Sequence, residues 1–185
     1  MRSCRALVRA LSPLVALLVV LPAQAQTLAD QLKDQCVVVL SQSRNPPLAP
    51  KVDATRDKLT ELLLNGFAQG LQQAGVTVLA RFYPTSADDL ASVKANELGS
   101  FMKTRDCKWL AQLATFVSPD QKMNVAVSLS PLTLSGAQKD TVRIGDPHYA
   151  QSWNYVLNQK FMTEFKPQAV AEGYARSLLG SPSKP

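Results

Sequence analysis

The spacing of apolar residues changes several times along the chain, and each change marks a new element. Cys36-Val37-Val38-Val39-Leu40 is an unbroken apolar run, the pattern of a strand buried on both faces. Arg44 to Pro50 follows as a loop, because its three prolines remove backbone donors and push their predecessors out of helical conformation. Leu59, Leu63, Phe67 and Leu71 then recur every four residues, with Leu62 and Ala74 beside them, predicting a helix over 53–74. Asp53 or Thr55 can cap its start, and Gly75 stands where a left-handed residue is wanted at its end. Val76, Val78, Ala80 and Phe82 alternate with other residues, so a strand comes next. Strand, loop, helix and strand make a βαβ-like opening, right-handed if the strands are parallel.

Ser86 and Asp89 have the spacing of a capping box for a second helix, which carries Leu90, Val93, Leu98 and Phe101 and runs to about Lys103. Two period-two segments follow, Trp109 to Val117 and Met123 to Leu129, joined by Ser118-Pro119-Asp120, and they predict a hairpin. A short strand over Thr141 to Ile144 comes after a Ser135-Gly136 turn. Asp146-Pro147 reads as a cap with proline at the first helical position, opening a helix whose stripe is Tyr149, Trp153, Val156, Phe161 and Phe165. Four of the five clustered aromatics hold helical spacing and are expected in the core; Tyr155 falls off the stripe and is expected outside. Pro167 starts a last helix, ended by Gly180, before a disordered tail over 181–185.

The first 25 residues follow different rules. Arg2, Arg5 and Arg9 precede the apolar run Leu14 to Leu21, then Pro22 and Ala23-Gln24-Ala25, the pattern of a signal peptide cleaved before Gln26. The apolar run is well short of the ~20 residues a spanning helix needs, so no transmembrane anchor is expected after cleavage. A lipid anchor would need cysteine in place of Gln26. The expected location is the periplasm, or the exterior.

Cleavage changes the charge balance. Of the 20 lysines and arginines, three leave with the leader, so 17 basic residues face 14 acidic ones, a net of +3 rather than +6. Lacking runs of Lys and Arg interleaved with aromatics, the mature chain is not expected to bind nucleic acid. About 160 residues suit one domain, 26–180, with a substantial core. Of the three cysteines Cys4 goes with the leader, so Cys36 and Cys107 form an even pair in an oxidising compartment. A disulfide is expected, the alternative being two buried thiols; no Cys-x-x-Cys supports a redox role.

Catalytic chemistry finds little to work with. His148 is the one histidine, read as a surface residue at a helix start, and a zinc-type site has no ligand set, so neither metal nor cofactor is expected. Gly-x-Ser-x-Gly is missing. Gly66, Gly70 and Gly75 lie within or at the end of one helix and do not make a phosphate loop. A carboxylate pair acting on cell-wall glycans remains open, although Glu61, Glu97, Glu164 and Glu172 each fall on a polar helix side and Asp88-Asp89 suits a helix start.

Val37 to Leu40, the Arg44-Asn45 loop, Asp57-Lys58-Leu59-Thr60-Glu61, and Lys108-Trp109-Leu110-Ala111 leading to the strand Met123 to Leu129 give an order similar to one bacterial envelope group. It comprises the curli-secretion lipoprotein, the lipoprotein activator of penicillin-binding proteins and the amino-terminal domain of TolB. The resemblance covers about 36–144 and implies an α/β fold with a non-enzymatic role. The acylated cysteine of its lipoprotein members and the long disordered arm of the activator have no counterpart here, so tethering and transpeptidase activation are not implied.

The expected fold is therefore one α/β domain, a mixed sheet of four to five strands covered by helices, with two carboxy-terminal helices completing it. The expected function is a non-catalytic binding or assembly accessory of the cell envelope, its partner an envelope protein or a cell-wall component. A carboxylate enzyme on glycans and a protein for small apolar ligands are the alternatives. The partner would dock on the long proline-stiffened loop at Arg44, Asn45, Pro46, Pro47 and Leu48 and on exposed Tyr155.

Overall fold

The computed structural model describes residues 26–43, 50–84, 90–118, 120–135 and 141–181. In chain order the elements are α1 (Leu28–Leu32), β1 (Cys36–Ser43), α2 (Pro50–Gln73), β2 (Thr77–Tyr83), α3 (Leu90–Arg105), β3 (Trp109–Val117) and β4 (Lys122–Ser135). They continue as β5 (Thr141–Ile144), β6 (Tyr149–Val156), α4 (Gln159–Glu164) and α5 (Pro167–Leu179).

One mixed sheet runs in the order β2-β1-β3-β4, with β5 and β6 both on β4. The apolar run of β1 lies between two parallel neighbours, β2 and β3, which is why it carries no polar alternation. The β3–β4 hairpin is antiparallel, pairing Trp109 with Pro131 and Val117 with Met123. Six described strands exceed the four to five expected by one, and the extra strand is β6.

That strand corrects the reading of Asp146-Pro147 as a helix start. β4 is fourteen residues long and offers its second edge to any extended segment that follows. β5 and β6 fill it end to end, Ser135 to Leu132 facing Thr141 to Ile144 and Leu129 to Lys122 facing Tyr149 to Val156. The residues between them form a bulge, held where Gly145 donates to the Pro131 carbonyl at 2.9 Å and His148 to that of Leu129 at 2.8 Å. An aromatic every four residues is also an aromatic every second inward position of a strand, so Tyr149 and Trp153 satisfy both periods. The open ladder of β4 decides between them. Helix resumes only in α4.

Strand alternation sorts the core into two layers. Val37, Val39, Trp109, Ala111, Leu113, Met123, Val125, Val127, Leu129 and Tyr149 face α2 and α5 and join Leu63, Phe67, Leu71, Ala171, Tyr174 and Leu178. Val38, Leu40, Leu110 and Leu132 face the other way, with Tyr83, Leu98 and Cys107. Fully buried Phe67 is worth about 1.5–3 kcal/mol in transfer alone.

α2 and α5 meet closely because Gly66 and Gly70 present no side chain. A Cβ on Gly66 would lie 2.2 Å from the Gln168 carbonyl oxygen, and one on Gly70 would lie 2.7 Å from Ala175 Cβ. Gly75 ends the helix at φ +83° as its position suggests. α2 begins three residues before Asp53, at Pro50, so neither Asp53 nor Thr55 is its cap; Thr55 Oγ1 instead donates to the Lys51 carbonyl at 2.9 Å.

Residues 27–35, between the leader and β1, contain a helix that the apolar spacing did not announce. Thr27 and Asp30 cap α1 reciprocally, Thr27 N donating to Asp30 Oδ2 at 3.0 Å and Asp30 N to Thr27 Oγ1 at 3.4 Å, while Leu28 and Leu32 are fully buried. Leu28 N donates to the carbonyl of Ser181, the first residue of the tail expected to be disordered, at 2.8 Å; the rest of that tail, 182–185, lies outside the described residues. The Cys36–Cys107 disulfide is present, with Cα atoms 4.5 Å apart, and it closes a separation of 71 residues. Constraining the unfolded chain over that span is worth roughly 4 kcal/mol. The signal peptide, Ser86 to Asp89 and the loop Arg44-Asn45-Pro46-Pro47-Leu48 lie outside the described residues.

Candidate binding surface

β6 reaches its end at Val156, and Asn158 then turns the chain into α4 by accepting the Phe161 amide on Oδ1 at 2.8 Å. This cap sets Phe161 inside the six-residue helix and Phe165 at its C-cap four residues on, where their rings stack at 4.2 Å. Tyr155 meets both, with centroids 5.7 Å from Phe161 and 5.5 Å from Phe165. Behind them Trp153 stacks on Tyr174 at 4.1 Å, and the hydroxyls of Tyr155 and Tyr174 share a hydrogen bond at 2.6 Å. Burial first, and then that shared bond, push the Tyr174 hydroxyl well above its ordinary pKa.

The result is a half-buried aromatic ridge with a hollow on each side. One hollow, of about 490 Å³, lies against α2 and is lined by Ala54, Lys58, Leu59, Leu62, Phe161 and Phe165. The other, of about 540 Å³, runs along β6 beside Asn154, Tyr155 and Val156, with Lys160, Glu164 and Lys166 around it. A smaller trough of about 360 Å³ crosses the opposite sheet face over Gln112, Ala114, Ala126, Ser128, Ala150 and Ser152. Such surfaces favour apolar groups flanked by hydrogen-bonding ones.

Tyr155 is thus not the exposed aromatic its spacing suggested. As an odd-numbered residue of a strand it shares the inward face of Tyr149 and Trp153, and its ring packs against the main core. His148 likewise sits in the β5–β6 bulge and not at a helix start; its ring meets Trp109 edge-on at 5.1 Å, and its buried Nδ1 has no hydrogen-bond partner among the described residues. No family model matches the chain, and no curated protein matches it. Among solved structures it is similar to lipoprotein GNA1162 of Neisseria meningitidis, with a TM-score of 0.40 and 13% identity over 77% of this chain and 98% of that one.

The four glutamates are dispersed over α2, α3, α4 and α5, each with its own partner. Lys58 reaches Glu61 at 3.0 Å, Lys160 reaches Glu164 at 4.0 Å and Arg176 reaches Glu172 at 3.9 Å. Glu97 Oε2 accepts the Tyr83 hydroxyl at 2.5 Å, and burial followed by this bond pushes the Tyr83 pKa well up. Among the described residues, no three His, Cys, Asp or Glu side chains could together hold a metal ion, and no helix is long and apolar enough to cross a membrane.

The alternation Tyr149, Gln151, Trp153, Tyr155 was the signal for β6. Thr27-x-x-Asp30 was the signal for α1, and Gly66 four residues before Gly70 marked the close helix pair.

Proposed function

We propose that the chain is an exported, non-catalytic binding or assembly protein of the bacterial cell envelope. The aromatic ridge of Phe161 and Phe165 between its two hollows carries this reading, because it presents apolar rings to a partner without a converging set of reactive groups. The leader pattern and the Cys36–Cys107 disulfide support export to an oxidising compartment. The separate ion pairs of the glutamates favour this over carboxylate catalysis on glycans.

The test is capture by crosslinking from the envelope fraction, followed by incubation with purified peptidoglycan. Wild type should capture a defined partner, F161A/F165A should not, and glycan products should be missing from both incubations. Glycan turnover abolished by one Asp or Glu substitution would replace this reading with the enzymatic one. A small apolar ligand is a second possibility, favoured by Leu59, Leu62, Phe161 and Phe165 around the hollow on α2. Binding of a fluorescent apolar dye, lost in the same variant, would identify it.

A further inference from the structure

Along one side of β6 the backbone hydrogen-bonding groups meet no strand among the described residues. Its ladder with β4 continues where Leu157 donates to the Gln121 carbonyl at 2.8 Å, and the register from Lys122–Val156 to Leu129–Tyr149 keeps that phase. Odd-numbered residues of β6 therefore exchange bonds with β4, and the amides and carbonyls of Ala150, Ser152 and Asn154 point outward. Among the described residues no strand lies on that side of β6.

Past the bulge at its start, the edge also lacks the charges and prolines that keep strands apart. None of its eight residues, Tyr-Ala-Gln-Ser-Trp-Asn-Tyr-Val, is charged, and none is proline or glycine. β2, at the far side of the sheet, differs in carrying Arg81, which lies over the Phe101 ring at 5.1 Å and pairs with Glu97 at 3.9 Å.

We infer that β6 is a self-association edge: two copies pair antiparallel about a two-fold axis at Ser152, joining two six-stranded sheets into one. The occupant is a second copy because the strand is complementary to itself in this register. Ser152 faces Ser152 and Ala150 faces Asn154 on the open face, where the side chains are small. On the helical face Tyr149 meets Tyr155 and Gln151 meets Trp153, giving aromatic cross-strand pairs without like charges opposite one another. The hollow of about 540 Å³ beside Asn154, Tyr155 and Val156 leaves room for the partner's side chains there. This pairing uses the backbone of β6 and does not depend on the function proposed above.

Sedimentation and light scattering on the mature, oxidised protein test it together with one engineered cysteine. The expected result is a concentration-dependent dimer. In S152C the two sulfurs should form an intermolecular disulfide, since directly bonded antiparallel residues have Cα atoms about 5.5 Å apart, within the range a disulfide spans. A150C, which faces Asn154, should crosslink much less. S152K places two like charges across the axis on an exposed face, and S152P removes an outward amide without touching the β4 ladder. Each should raise the dimer dissociation constant at least about tenfold while thermal melting shows a folded chain. A monomer at high micromolar concentration would overturn the inference. So would a dimer unaffected by S152K, or equal crosslinking of A150C and S152C.

Discussion

The two faces of the sheet are stabilised differently. The face toward α2 and α5 has a thick layer of aliphatic and aromatic side chains in which the two helices nearly touch at Gly66 and Gly70. The face toward α3 has a thinner layer, supplemented by a covalent bond at Cys36–Cys107 and a charge-assisted hydrogen bond from Tyr83 to Glu97. A face with enough apolar area is held by packing and a sparse one by specific bonds, so the two should fail under different treatments.

The largest effect should come from emptying the thick layer. Phe67→Ala removes a fully buried ring and should cost about 3–5 kcal/mol in urea unfolding; a loss below about 1 kcal/mol would show that the layer collapses around the gap. On the thin face, replacing both cysteines by serine should cost about 2–4 kcal/mol, and wild type under reducing conditions should melt at the same temperature as the double variant. If the variant lost nothing, apolar packing against α3 would be sufficient and the contrast would fall.

Gly66→Ala forces the helices apart, since its Cβ would overlap a backbone carbonyl that cannot move alone, and about 1–3 kcal/mol is expected. Gly75→Ala, with nothing near the new Cβ, tests the backbone alone and should cost about 1 kcal/mol through its positive φ. Tyr83→Phe should have an equally small effect, about 1 kcal/mol near neutral pH. Its pH dependence sharpens the comparison. Because the folded state raises the Tyr83 pKa, its contribution is complete below the unfolded value of about 10 and is lost as pH rises through the higher folded one. Alkaline denaturation should be shallower in Y83F than in wild type. Tyr174 on the thick face has the same sign, so some slope should remain.

The sequence was most readable where one period had no competitor. β1, the body of α2, the β3–β4 hairpin, β5 and α5 follow from their patterns because length, breakers and burial agreed. Tyr149 to Val156 misled for a definite reason: aromatic spacing fitted both periods, and the deciding fact was the length of β4, a tertiary property. His148 and Tyr155 moved with it, one into a bulge and the other inward. The ridge was half legible, because Phe161 and Phe165 declare a helical turn while the hollow against Leu59 and Leu62 exists only once α4 lies beside α2.

Leu28 bonded to Ser181 places the entry and exit of the domain side by side. The described part of the chain, 26–181, is thus close to a closed loop, in which the start of connectivity is almost arbitrary. A short linker between the two ends and a new opening between β3 and β4, after Ser118, would yield a circular permutant with the same sheet order. Anything fused directly before Thr27 or directly after Ser181 would start from one common pole.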